Sequence, residues 1–151
     1  MLTQDYTKVV SNLLAGNSAY TPNYLYVEYT NSDVPAAPTD TAGKEYYDSL
    51  SAPLGYFRVP ITIKPTVSAN NKITYTVLLP ADMATNNAIV YGVALVSAPD
   101  PGDSTHDIVF AREYFVDKPL ALSSNQTLCF SFQLAVFGAE DVYNDDFWNE
   151  E

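Results

Sequence analysis

The chain has one histidine and one cysteine, so the residues able to do chemistry are few. His106 lies in the run Asp103-Ser-Thr-His-Asp107, which contains the residue types of a catalytic triad. A triad, however, draws its members from separate elements that converge in space, and consecutive residues cannot do that. His106 is therefore expected to be an exposed loop histidine. With His106 and Cys129 alone, neither a three-histidine zinc site nor a structural zinc site can be assembled. Asp100, Asp103 and Asp107 offer the hard oxygen ligands that calcium takes, but their spacing fits no EF-hand, and solvated loop carboxylates are the simpler expectation. The six glycines form no phosphate-binding cluster. The residues supply no nucleophile with its base and no cofactor motif, so no enzymatic activity is expected.

Tyrosine is the unusual feature. Tyr20, Tyr24, Tyr26 and Tyr29 fall within ten residues, and exposed aromatic rings on a sheet can stack on sugars at low entropic cost. Tyr24, Tyr26 and Tyr29 are thus candidate glycan contacts, while ordinary strand packing explains them equally well. The last residues join carboxylates (Glu140, Asp141, Asp145, Asp146, Glu150 and Glu151) to Tyr143, Phe147 and Trp148. Such a segment suits docking in a groove of another subunit, with the aromatic rings as anchors and the acids as rim; a disordered tail is the alternative.

Composition narrows the partners. Seven basic residues stand against 18 acidic, a net charge of −11, which excludes the basic surface that a phosphate backbone needs. Apolar residues make up 47% and charged residues 17%, a globular balance. No window approaches the 18 apolar residues of a membrane span, and the start lacks the pattern of a secretion signal, so assembly in a cytoplasm is expected. Cys129 cannot form an internal disulfide and reads as a small buried residue.

The elements follow from periodicity. Gln126 to Phe137 alternates most cleanly: Leu128, Phe130, Phe132, Leu134 and Val136 point one way, and Cys129, Ser131, Gln133 and Ala135 the other. Leu2 to Ala15 has helical spacing, with Tyr6, Val9, Val10, Leu13 and Leu14 on one stripe, Thr3 as cap and Gly16 as stop. Its apolar face must lie on its own sheet or on a neighbouring subunit. Tyr24 to Tyr29 predicts a strand with Leu25, Val27 and Tyr29 opposite Tyr24, Tyr26 and Glu28, both faces partly covered. Asn31 to Thr41 predicts a loop, and Thr41 to Leu50 a helical turn or two. Leu54 to Lys64, with Pro60 marking an edge or bulge, and Lys72 to Leu79 read as a hairpin turning at Asn70-Asn71. Ala88 to Ala98 is apolar on both faces, with Gly92 signalling a bulge or a close backbone approach. Asp107 to Val116 completes six strands. The expected fold is all-β, an antiparallel β-sandwich or flattened, jelly-roll-like barrel with one N-terminal helix. Its divisions are the helix over 1–17, the sandwich over 18–137 and the acidic-aromatic tail over 138–151.

This order of features resembles the small structural proteins of tailed-bacteriophage virions, the accessory proteins of head, collar or tail fibre. The resemblance is carried by the N-terminal helix, the aromatic strand Tyr24 to Tyr29, the loop Pro35-Ala-Ala-Pro-Thr-Asp-Thr41 and the short polar helix after it. It continues through Ala88-Ile-Val-Tyr-Gly-Val-Ala-Leu95, Ile108-Val-Phe-Ala-Arg-Glu-Tyr-Phe115, the turn at Lys118-Pro119 and the last alternating strand. It implies a non-enzymatic virion protein assembled in the host cytoplasm, a homo-oligomer of three or more chains that docks on a major capsid, neck or tail protein. The residues expected at subunit contacts are Tyr6, Val9, Leu13, Tyr143, Phe147 and Trp148. A carbohydrate-binding module is the alternative.

Overall fold

A computed structural model describes residues 2–39, 41–51, 54–79, 88–122 and 128–135. Helix α1 spans Tyr6–Leu14, followed by strand β1 over Pro22–Thr30 and helix α2 over Lys44–Asp48. Then come β2 (Leu54–Pro60), β3 (Thr66–Val67), β4 (Lys72–Leu79) and β5 (Ile89–Ser97). The chain continues with β6 (Ile108–Tyr114), β7 (Leu120–Ala121) and β8 (Leu128–Ala135). The strands form two antiparallel sheets. One has the order β2-β1-β5-β6, with β7 pairing the start of β5; the other has the order β3-β4-β8. The fold is an all-β sandwich with a helix rather than a closed barrel.

The main core lies between the sheets. Leu25, Val27, Val59, Val93, Leu95 and Phe110 of the larger sheet share it with Tyr75, Val77, Leu79, Phe132 and Leu134 of the smaller. These residues recur two apart on their strands, as side chains on one face of a pleated backbone must. Helix α1 packs against β6 and sends Val9 into the same core, with Tyr6 and Leu13 partly buried beside it. The helix therefore lies on its own sheet. Leu14, at its last turn, is 79% exposed, and Gly16 follows with φ of 88°, a left-handed helix stop. Thr3 does not cap the helix. Leu2 bridges Ala111, the Thr3 amide donates to the Phe110 carbonyl at 3.0 Å, and the Thr3 hydroxyl donates to the Val109 carbonyl. These residues close the free edge of β6 instead.

The second face of the larger sheet is covered as well. Tyr26, Ala94, Val96 and Val109 pack there beneath Tyr47 of α2, with Tyr24, Tyr46, Leu50 and Tyr56 around them. This is why β5 is apolar on both faces. Gly92 lies beside the register shift between Glu28 and Tyr29, and a Cβ on it would sit 2.7 Å from the Tyr114 ring, so both readings of that glycine hold. At the shift between Pro22 and Tyr24, the Asn23 side chain replaces ladder bonds by pairing with Ala98 N and O at 2.8 and 2.9 Å.

The expected hairpin of Leu54 to Lys64 with Lys72 to Leu79 is not formed. β2 pairs with β1 along seven residues, Leu54 through Pro60, and is an edge strand of the larger sheet. Pro60 and Pro65 interrupt the ladder, and the chain crosses to the other sheet between them. The hairpin belongs to β3 and β4, with Asn71 at φ of 60° in its turn. β3 and β7, two residues each, are additions to the expected six strands.

Candidate functional site

Two polar clusters are built into the second face and one end of the larger sheet. The first is centred on Asp107, the residue before β6, which is buried at 4% exposure. Arg58 of β2 reaches it as a fork: Nε donates to Oδ2 at 2.8 Å and Nη2 to Oδ1 at 2.9 Å. The Tyr26 hydroxyl donates to the same Oδ2. Arg58 Nη1 donates to the Pro101 carbonyl at 3.2 Å, and its guanidinium lies 3.8 Å over the Tyr24 ring. Hydrogen bonding to Asp107 raises the Arg58 pKa and keeps it charged; burial, then the hydrogen bond to Asp107, raises that of Tyr26. A planar fork on a carboxylate with an aromatic ring beneath it is a rigid arrangement. It ties the loop before β6 to the opposite edge strand of the sheet, with β1 and β5 between them.

The ion pair takes Asp107 out of the calcium arrangement considered with Asp100 and Asp103. In that loop the groups brought together are Asp100, Asp103 and His106, whose ligand atoms lie within 4.8 Å of one another. Asp103 is already engaged. Its Oδ1 accepts from the Thr105 amide at 3.1 Å and the Thr105 hydroxyl at 2.6 Å, and its Oδ2 is 3.3 Å from His106 Nε2. The Thr105 hydrogen bonds hold the Asp103 carboxyl below its ordinary value. His106 is exposed, as expected of a loop histidine. It lines, with Lys8, Tyr20, Pro99, Asp100 and Ile108, an open cleft of about 310 Å³.

The second cluster surrounds Glu28 in the last part of β1, at 0% exposure. Tyr46 of α2 and Tyr91 of β5 each donate a hydroxyl to Glu28 Oε1 at 2.7 Å. Arg112 of β6, also fully buried, lies 5.1 Å over the Tyr46 ring and 5.9 Å over that of Tyr114. Burial raises the Glu28 carboxyl above its ordinary value, against the hydrogen bonds from Tyr91 and Tyr46 and the charge of Arg112. Burial likewise raises Tyr46, Tyr47, Tyr91 and Tyr114. A carboxyl among phenols is a proton-donating chemistry in principle. Here it is buried, and what it does is pin α2 to the sheet. Neither Glu28 nor Arg112 was singled out from the sequence. The signal was there: a charged residue inside a strand covered on both faces must find partners.

The residues expected to make contacts divide clearly. Tyr24, Tyr26 and Tyr29 do not form a platform. Tyr26 is fully buried, Tyr24 is overlaid by Arg58, and Tyr29 lies on the opposite face, stacked on Phe57 at 4.4 Å between centroids. Val9, 1% exposed, is spent in the chain's own core, and Tyr6 and Leu13 lie partly buried against that core. Cys129, expected to be buried, is exposed, because it falls on the outer face of β8 opposite Phe130 and Phe132. Tyr143, Phe147 and Trp148 lie outside the described residues. Among the described residues no helix is long and apolar enough to cross a membrane. No family model, curated protein or solved structure matches the chain.

Proposed function

We propose that the chain is a non-enzymatic structural subunit of a tailed-bacteriophage virion, which self-associates and docks on a capsid, neck or tail protein. The observation that carries the reading is the order of elements. An N-terminal helix, an aromatic strand and a short polar helix come first, and after β2, β3 and β4 the strands β5 and β6, a turn at Lys118 and a final alternating strand. That is the order on which the resemblance to virion accessory proteins rests. The use of the ionisable groups supports the same reading. Glu28, Arg58 and Asp107 bind across elements inside the fold, which suits a rigid part better than a reactive cleft. The glycan-binding alternative loses its basis with the burial of Tyr26 and the separation of Tyr24 from Tyr29.

The test is the solution mass of the full chain together with cosedimentation on phage heads and tails lacking it. A defined oligomer that binds one of these particles supports the proposal. A monomer that binds neither contradicts it.

A further inference from the structure

We infer that a water molecule is bound inside the fold between helix α2 and the larger sheet, bridging Glu28 Oε2 and the hydroxyls of Tyr47 and Tyr114.

The sheet brings these groups together. Glu28 of β1 lies opposite Gly92 of β5, and Gly92 lies opposite Tyr114 of β6, so the three make one row across the sheet with their side-chain positions on the same face. Gly92 puts no side chain in the middle of that row. The Tyr114 ring leans over it instead, where a Cβ on Gly92 would meet two ring atoms at 2.7 Å, and this turns the ring toward Glu28. Helix α2 covers the row. Its Tyr46 donates to Glu28 Oε1, and its Tyr47 ring stands edge-on to that of Tyr46 at 5.2 Å between centroids. The Tyr114 hydroxyl is near enough to Glu28 and Tyr47 to influence the ionisation of both.

Three polar atoms at this point nevertheless have no hydrogen-bond partner among the described residues. Glu28 Oε1 accepts from Tyr46 and Tyr91, but Glu28 Oε2, the Tyr47 hydroxyl and the Tyr114 hydroxyl are each buried without one. Glu28 is 0% and Tyr47 1% exposed, so bulk solvent does not reach them. Oxygens taken out of water with nothing in exchange are costly. Native folds join such groups through an internal water, which typically makes about three hydrogen bonds, and polar groups too far apart or misaligned for a direct bond are the ones a water bridges.

The chemistry of the three oxygens selects water over an ion. Water accepts from both phenols, and it can either donate to Glu28 Oε2 when the carboxyl is ionised or accept from it when it is protonated. A metal cation would share the site with the Arg112 guanidinium, which lies 5.1 Å over the Tyr46 ring and 5.9 Å over that of Tyr114. An anion would face the Glu28 carboxyl. The bound water thus ties α2 to β1 and β6 through groups that make no direct bond, and it belongs to the single chain whether or not chains assemble.

The test is oxygen-17 relaxation dispersion of water in solutions of the full chain, which counts waters that tumble with the protein and is blind to exchange of hydroxyl hydrogens. The parent is compared with Tyr47→Phe, Tyr114→Phe and the double variant, which keep the rings and remove the hydroxyls, each first shown to be folded by circular dichroism and to have the parent's solution mass. Each single variant should lose the dispersion of one water. The double variant should lose no more than either single one, because both hydroxyls hold the same molecule. A dispersion unchanged by either substitution overturns the inference, as does a double variant that loses the sum of the two. Should a variant fail to fold, a high-resolution crystal structure of the parent decides: a water within hydrogen-bond distance of all three oxygens upholds the inference, and oxygens closed directly on one another overturn it.

Discussion

Asp107 is worth more to this fold than to any loop chemistry. Its carboxylate answers the Arg58 fork and the Tyr26 hydroxyl at once, and removing it leaves a guanidinium and a phenol without their acceptor. Asp107→Ala should therefore cost about 3 kcal/mol of unfolding free energy in urea. Tyr26→Phe, which removes one donor and leaves the ion pair, should cost about 1 kcal/mol. Glu28 gives a pH signature. Burial raises its carboxyl above the ordinary 4.5, so the folded chain keeps a proton that the unfolded chain releases. The stability linked to that proton is full below the ordinary carboxylate range and is lost as pH rises through the folded value. Glu28→Gln removes the titration while keeping an oxygen for Tyr46 and Tyr91. The unfolding free energy of the parent, relative to that variant, should fall as pH rises above the ordinary carboxylate range. A difference that stays flat would mean that the tyrosines and Arg112 offset the burial. Neither cluster could be assembled from the sequence, because Arg58 and Asp107, or Glu28 and Arg112, become neighbours only through the order β2-β1-β5-β6.

At the scale of elements, α2 shows how little of a short helix is intrinsic. Five residues cannot hold a helix alone, and α2 stays because Tyr47 is buried against Tyr26 at 5.1 Å and Tyr56 at 5.5 Å between ring centroids. Tyr47→Ala should cost about 3 kcal/mol and should open residues 31–51 to limited proteolysis well before the sheets unfold. Gly92→Ala should cost about 1–3 kcal/mol, because the added methyl meets the Tyr114 ring; circular dichroism melts would register it. Local patterns were legible where one physical cause acted. The helical turn after Thr41, the edge at Pro60, the special place of Gly92 and the two faces of β1 all follow from side-chain type and period. The partner of β2 did not. Alternation tells which face of a strand is buried but not which strand lies beside it, and the two prolines that allow the change of sheet also resemble ordinary loop punctuation.

For the whole molecule, the clearest sequence signal marked the periphery. β8 alternates cleanly because one face meets solvent, whereas β5, buried on both faces in the middle of the larger sheet, has no alternation to read. The antiparallel sandwich with its N-terminal helix was legible from the number and spacing of strands; the placing of α1 on its own sheet, and so the loss of Val9 as a subunit contact, was not. The proposed role depends on chains meeting one another. The most direct measurement is therefore light-scattering mass of the full chain over a wide concentration range. The account predicts a defined assembly of more than one 16.6 kDa chain. A mass of one chain at every concentration would contradict it.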